Sequence, residues 1–173
     1  MDASTSTPKG TQVAFDSGVP AASPYERSIV LTHIFDAPRA LVWKMWTDPA
    51  HLAQWFGPQM FTNKNVTVDL RFGGGFALTM VSPQGSEHPM TTVFKEIVPN
   101  EKLAFTNDAL DEKGGKLLEG FTTVTFEDMG EKTKITVEAR AQGTAEVTKF
   151  MLGGMKDGWA QSFDKLAAYM IKN

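Results

Sequence analysis

Between Val66 and Arg140 the chain is a succession of strand-length runs rich in β-branched and aromatic residues: Val66 to Leu70, Phe76 to Val81, Met90 to Val98, Lys102 to Thr106, Phe121 to Glu127 and Thr133 to Arg140. The joints between them are short and built from turn residues: Arg71-Phe72-Gly73-Gly74-Gly75, Ser82-Pro83-Gln84-Gly85, Pro99-Asn100-Glu101, Asp111-Glu112-Lys113-Gly114-Gly115 and Asp128-Met129-Gly130-Glu131. Joints of that length close hairpins, but they cannot hold the crossover that a parallel pair requires. The segment is thereby restricted to an antiparallel sheet. In its last run Ile135, Val137 and Ala139 alternate with Lys134, Thr136, Glu138 and Arg140, which predicts one buried face and one wet face.

The flanks supply what must cover the apolar face. Ser28 to Phe35 reads as a further strand, stopped by Asp36-Ala37-Pro38. Asp36 is a candidate cap and Pro38 suits a first helical turn, after which Val42, Met45 and Trp46 recur at helical spacing. Asp48-Pro49 breaks that short helix and can cap a second one, Ala50 to Trp55, ended by Gly57-Pro58. From about Ala145 to Lys172, Val147, Met151, Met155, Trp159, Ser162, Phe163, Leu166 and Met170 fall on one arc. That spacing predicts one helix of about 40 Å, long enough to cross the sheet. Gly154 and Gly158 within it each cost about 1 kcal/mol relative to Ala, so the pattern implies compensation by close packing on the sheet or by a ligand against bare backbone.

Residues 1–25 are dominated by Ser, Thr, Ala, Gly and Pro, with only Val13 and Phe15 as larger apolar groups, and read as a flexible tail before a domain spanning 26–173. Hydrophobic residues make up 42% and charged residues 21%, ordinary for a globular chain. The net charge of -3, with Lys and Arg scattered, offers no basic stripe for phosphates, so nucleic acid is not an expected partner. Cysteine is absent, which removes disulfides, thiol nucleophiles and the common zinc sites. No run is long enough for a membrane-spanning helix and the N-terminus lacks a signal-peptide pattern, giving a cytoplasmic expectation.

Several spaced motifs, in order, carry a resemblance to a known family: Phe35-Asp36-Ala37-Pro38-Arg39-Ala40-Leu41-Val42-Trp43, Trp46-Thr47-Asp48-Pro49, Gln54-Trp55-Phe56-Gly57-Pro58, Asp69-Leu70-Arg71-Phe72-Gly73-Gly74, Glu96-Ile97-Val98-Pro99-Asn100-Glu101-Lys102-Leu103, Val124-Thr125-Phe126-Glu127 and Gly154-Met155-Lys156-Asp157-Gly158-Trp159. From about Arg27 to the C-terminus the chain resembles the heat-shock protein 90 ATPase activator homologue-like family of the START/Bet v 1-like (SRPBCC) superfamily. Phe72, where that pattern commonly has Pro, is a departure, and Phe56, where it has a second aromatic after Trp55, is a mild variant. The resemblance implies an α+β helix-grip fold: a curved antiparallel sheet of about six or seven strands, two short helices and a long C-terminal helix enclosing a cavity. It also implies a hydrophobic small-molecule ligand, such as a lipid, polyketide or flavonoid-like compound. A minority of such proteins use the cavity for cyclisation, hydrolysis or lyase chemistry. The family name implies a chaperone-associated role, but in the eukaryotic co-chaperones a separate domain binds the chaperone, and no stretch of this sequence resembles it.

Against that expected cavity, the candidate lining residues are Trp46, Trp55, Phe56, Phe76, Met80, Phe94, Phe105, Met151, Met155, Trp159 and Phe163. Rings suit ligand walls and methionines mould to irregular shapes, but core filling explains each residue type equally well. Trp55, Phe56 and Trp159 stand beside Gly or Pro breaks and are favoured. His33 is the polar candidate for the cavity, with a surface or paired core histidine as the alternative. His33, His51 and His88 show no metal-ligand spacing, and no nucleophile elbow or paired-carboxylate motif accompanies them, so neither a metal, a cofactor nor a catalytic residue is expected. Gly73-Gly74-Gly75 precedes a strand, which favours a tight turn over a phosphate cradle. Glu119 and Arg140 read as surface ion-pair members. The sequence thus favours a carrier or sensor over an enzyme and leaves the oligomeric state open.

Because apolar periodicity begins at Ser28, removing residues 1–25 should leave the melting temperature almost unchanged. A loss of several degrees would mean that Val13 and Phe15 dock on the domain.

Overall fold

The computed structural model of the chain describes residues 25–143 and 148–172. Apart from Tyr25, the segment read as a tail lies outside the described residues, as does Val147. The elements are β1 (Glu26–Phe35), α1 (Arg39–Thr47), α2 (Pro49–Trp55), β2 (Thr62–Asp69), β3 (Gly75–Val81), β4 (Glu87–Val98), β5 (Lys102–Leu110), β6 (Lys116–Met129), β7 (Lys132–Gly143), α3 (Thr148–Gly153) and α4 (Met155–Lys172).

The strands form one 7-stranded sheet in the order β1-β7-β6-β5-β4-β3-β2. Consecutive hairpins join β2 through β7, as the short joints require, and every pairing is antiparallel. The first strand pairs with the last, Thr32 opposite Thr136, so chain entry and exit lie together at one edge. Arg140 of β7 forms an ion pair with Glu26 of β1 across this seam, and both side chains are only 14% exposed, so Arg140 is less open to solvent than its sequence position suggested. Glu119 pairs with Lys116 at the surface.

Alternation then selects the inner face. On β7 Thr133, Ile135, Val137 and Ala139 are buried, on β6 Thr122, Val124 and Phe126, and on β5 Leu103 and Phe105. The apolar members of this set join Phe35, Val42, Met45, Trp46, Leu52, Trp55, Phe76, Phe94, Phe163 and Leu166 in one core between the sheet and the helices.

Local chemistry explains the helix ends. Asp48 caps α2 by accepting from the Ala50 amide (2.9 Å), with Pro49 in the first turn. Asp36 does not cap α1: Pro38 occupies the N-cap position without a side-chain cap, and its carbonyl accepts from Leu41 and Val42. The single long C-terminal helix expected from the apolar arc is divided into α3 and α4 at Gly153-Gly154. Arg27 reaches across from β1 and its Nη1 donates to the carbonyls of Leu152 (2.9 Å) and Gly153 (2.8 Å), satisfying acceptors that a continuing helix would have used. The 18 residues of α4 measure about 27 Å, and they do the covering.

The glycine run is a tight link pressed onto β4. Gly73 donates to the Phe94 carbonyl and Phe94 donates back to that of Gly74. Gly73 has φ +83, with open space where a side chain would project, whereas a Cβ on Gly75 would lie 2.0 Å from the Thr92 carbonyl oxygen. Gly73 is therefore needed for its backbone conformation and Gly75 for space. Gly75→Ala should destabilise the protein by about 2 kcal/mol or more through overpacking against backbone, while Gly73→Asn should cost less than about 1 kcal/mol. Urea midpoints at unchanged m-value give the comparison.

Candidate ligand pocket

A cavity of about 160 Å³ opens where α4, the chain leaving α2 and the inner face of β3, β4 and β5 meet. Its walls are Phe56, Pro58, Met80, Met90, Met155 and Trp159, with Gly57, Gly158, Asn107 and Ser162 completing the lining. Inward phase puts Met80 there from β3, Met90 from β4 and Asn107 from β5, in register with Phe76, Phe94 and Phe105 further along the same strands. Met155, Gly158, Trp159 and Ser162 come from one face of α4 at helical spacing. A Cβ on Gly158 would meet only Pro58 Cγ, at 4.0 Å, and one on Gly154 would meet nothing nearer than 3.8 Å. Neither glycine marks a tight helix-to-sheet approach. Gly158 instead leaves bare backbone at the pocket.

The wall formed by Gly57 and Pro58 is tied to α4 by three side chains. Ser162 Oγ accepts from the Gly57 amide (3.0 Å), and its hydroxyl faces the carbonyls of Gly57 (3.0 Å) and Gly158 (2.9 Å). Gln161 accepts from the Gln59 amide (2.9 Å). Lys165 Nζ donates to the carbonyls of Pro58 and Phe61, both at 3.1 Å, and lies 3.4 Å from that of Gly57. These bonds replace the pairing that an irregular segment cannot provide for itself.

On the sheet floor lies a short polar strip. Thr92 Oγ1 donates to the Phe76 carbonyl and accepts from its amide, both at 2.8 Å. Asn107, opposite Thr92 on one side and Gly120 on the other, accepts from Thr122 Oγ1 at its Oδ1 (3.0 Å).

Phe56, Met80, Met155 and Trp159 are brought together in the pocket; the other sequence candidates are not among its lining residues. Trp46, Trp55, Phe76, Phe94, Phe105 and Phe163 are fully buried core members. Trp55 Nε1 donates to the Met45 carbonyl (3.0 Å), which fixes that ring in the core. Trp46 stacks behind Trp159 with centroids 5.9 Å apart, and among the described residues its Nε1 has no hydrogen-bond partner. Met151 lies on α3, beyond the helix break. His33 faces inward but packs on Phe35 and Phe163, at 4.3 and 5.8 Å, away from the pocket. Pro58, Met90, Asn107 and Ser162 were not among the sequence candidates. The alternation Leu103, Phe105, Asn107 signals an inward polar residue, but it does not say that a cavity faces it.

A larger hollow of about 660 Å³ lies between the β3–β4 and β5–β6 turns. Glu87, His88, Asp111, Glu112 and Lys113 contribute to it, and it lacks the convergent apolar walls that favour a small-molecule site. Among the described residues, no cluster of three or more His, Asp or Glu is placed to hold a metal. No helix among them is long and apolar enough to cross a membrane.

Burial pushes the Lys165 ammonium below its ordinary pKa of 10.5. The folded protein therefore releases this proton at lower pH than the unfolded chain, so this group's contribution to stability rises as pH climbs through the folded value towards 10.5 and falls as pH drops. In urea titrations from pH 7 to 10.5, the difference between wild type and Lys165→Met should move in that direction. A constant difference would contradict it.

Comparison with known proteins agrees with this geometry. Residues 36–170 match the family described as Activator of Hsp90 ATPase homolog 1-like protein. No curated protein matches the chain. Among solved structures, a protein from Chromobacterium violaceum is 25% identical with a TM-score of 0.68, covering 82% of this chain and 95% of its own. One from Arthrobacter aurescens is 26% identical with a TM-score of 0.72, covering 84% and 87%. The AHSA1 protein from Silicibacter pomeroyi, 20% identical, reaches a TM-score of 0.71 over 84% and 98% and shares the fold. With the family match spanning most of its length and the helix-grip architecture in place, the chain belongs to the Activator of Hsp90 ATPase homolog 1-like family.

Proposed function

We propose that this protein binds a hydrophobic small molecule in the cavity beneath α4 and acts as a carrier or sensor. The observation that supports this reading is the convergence of Phe56, Met80, Met90, Met155 and Trp159 around space that none of them fills. Such walls bind by removing apolar ligand surface from water, and methionines adapt at low cost to its outline.

Volume narrows the ligand. An apolar cavity of ~150 Å³ accommodates a single benzene, whereas drug-sized molecules occupy ~300–1,000 Å³. At about 160 Å³, the cavity suits a one-ring molecule; to be enclosed, a lipid, polyketide or flavonoid-like compound requires the Gly57–Phe61 segment or α4 to move outward. None of the lining residues is a histidine, carboxylate or lysine, so acid–base catalysis finds no side chain there to perform it. A chaperone-associated role rests on the family's name alone.

Toluene is a suitable probe because it matches the volume and carries no polar group. At ten times its dissociation constant it should raise the melting temperature by roughly 3–5 °C and perturb Trp159 emission. Met155→Trp should abolish both effects by occupying the cavity, whereas Lys156→Ala, exposed on the next residue, should leave them intact. Unaltered toluene binding by a folded Met155→Trp protein would remove the support for this site.

A further inference from the structure

The cavity's side chains are apolar apart from Ser162 on α4 and Asn107 on the floor, and the surroundings of Asn107 are shaped to its carboxamide. Asn107 projects from β5 directly opposite Gly120 of β6. A Cβ on Gly120 would lie 2.9 Å from Asn107 Nδ2, 3.2 Å from its Oδ1 and 3.0 Å from the Arg140 carbonyl oxygen. Gly120 has no positive φ to explain the choice of glycine, so here the missing side chain is what makes room for the carboxamide. Thr122, two residues on and 2% exposed, donates to Oδ1 and fixes which end of the amide faces which way.

With Oδ1 engaged by Thr122, the donor end of the carboxamide, Nδ2, is the end left for a partner in the cavity. The other polar side chain at the cavity, Ser162, has a single hydrogen already directed at the Gly57 and Gly158 carbonyls. Asn107 is half-buried and the cavity is open, so water can pair with Nδ2 in the empty site; a ligand that displaces this water without offering an acceptor leaves the donor unpaired.

Taking the pocket reading above as its basis, we propose that Asn107 is the specificity-determining residue of the cavity, its Nδ2 donating to a neutral hydrogen-bond acceptor on a one-ring apolar ligand. The ligand class is an aryl ketone, aldehyde, ester or ether. A plain hydrocarbon leaves Nδ2 unpaired. A carboxylate or an ammonium must shed its water in a cavity whose lining residues include no charged side chain. Gly120 and Thr122 are positioning residues that act through Asn107.

Ethylbenzene, acetophenone and benzoate form a matched set for the test, with dissociation constants measured by calorimetry on the full chain. Asn107→Leu should shift the acetophenone-to-ethylbenzene affinity ratio by about fivefold or more against acetophenone, the effect of leaving its carbonyl unpaired. Ethylbenzene affinity should change by less than about twofold. Benzoate should bind wild type at least about tenfold more weakly than acetophenone, since its charge has no partner. The side-chain amide protons of Asn107 give a readout that does not depend on the variant folding: in wild type, acetophenone should move them downfield and ethylbenzene should not. An unchanged affinity ratio, an unmoved amide resonance with acetophenone bound, or benzoate binding as tightly as acetophenone would overturn the assignment while leaving the pocket in place. Failure of both neutral compounds to bind wild type would overturn the pocket reading itself, and the assignment with it.

Discussion

Phe163 and Leu166, both fully buried, pin α4 to the inner face of the sheet, and the other features of the molecule are arranged around that contact. Phe163 meets Phe35 edge-on at 5.5 Å and lies 5.9 Å from Trp159, which stacks in turn on Trp46. Burying side chains of this size is worth roughly 1.5–3 kcal/mol each, and such rings gain further from edge-to-face geometry. An antiparallel sheet with one apolar face has to be covered, and α4 is the longest helix available to do it. Where α4 carries Phe163 and Leu166 the space is full; one to two turns earlier, where it carries Met155, Gly158 and Trp159, it is not.

The same helix holds the irregular chain from Gly57 to Phe61. Ser162, Gln161 and Lys165 satisfy backbone groups of that segment, so helix and segment form one wall rather than two. To be enclosed, a ligand larger than the cavity must separate them and break hydrogen bonds that include a half-buried ammonium. Selectivity for small ligands can thus arise from the stability of the wall, independently of how the ligand fits the floor.

Polar groups on the floor follow a strict economy. Thr92 is consumed by the Phe76 backbone and Thr122 by Asn107, leaving one amide end to face the cavity. The family relationship does not decide what that amide meets. Structures of 20–26% identity share the fold across more than four fifths of this chain, and a common architecture accommodates different ligands through the few side chains at its opening.

Much of the architecture was legible in the sequence because its signals are local. Short joints dictate antiparallel pairing, period-two alternation chooses the inner face of β7, and Asp48-Pro49 starts a helix by supplying a cap and removing an unneeded donor. The division of the C-terminal helix was not legible. Gly153-Gly154 permits a break, but Arg27, more than a hundred residues away, makes it by capturing the Leu152 and Gly153 carbonyls. The site was legible only in part, for the same reason. Periodicity in the sequence was enough to put Phe56, Met80, Met155 and Trp159 among the inward candidates, though it missed Met90. That these surround empty space while Trp46, Trp55, Phe76, Phe94, Phe105 and Phe163 are fully buried follows from how the helix packs on the sheet, because a cavity depends on the distance between surfaces and periodicity records only direction.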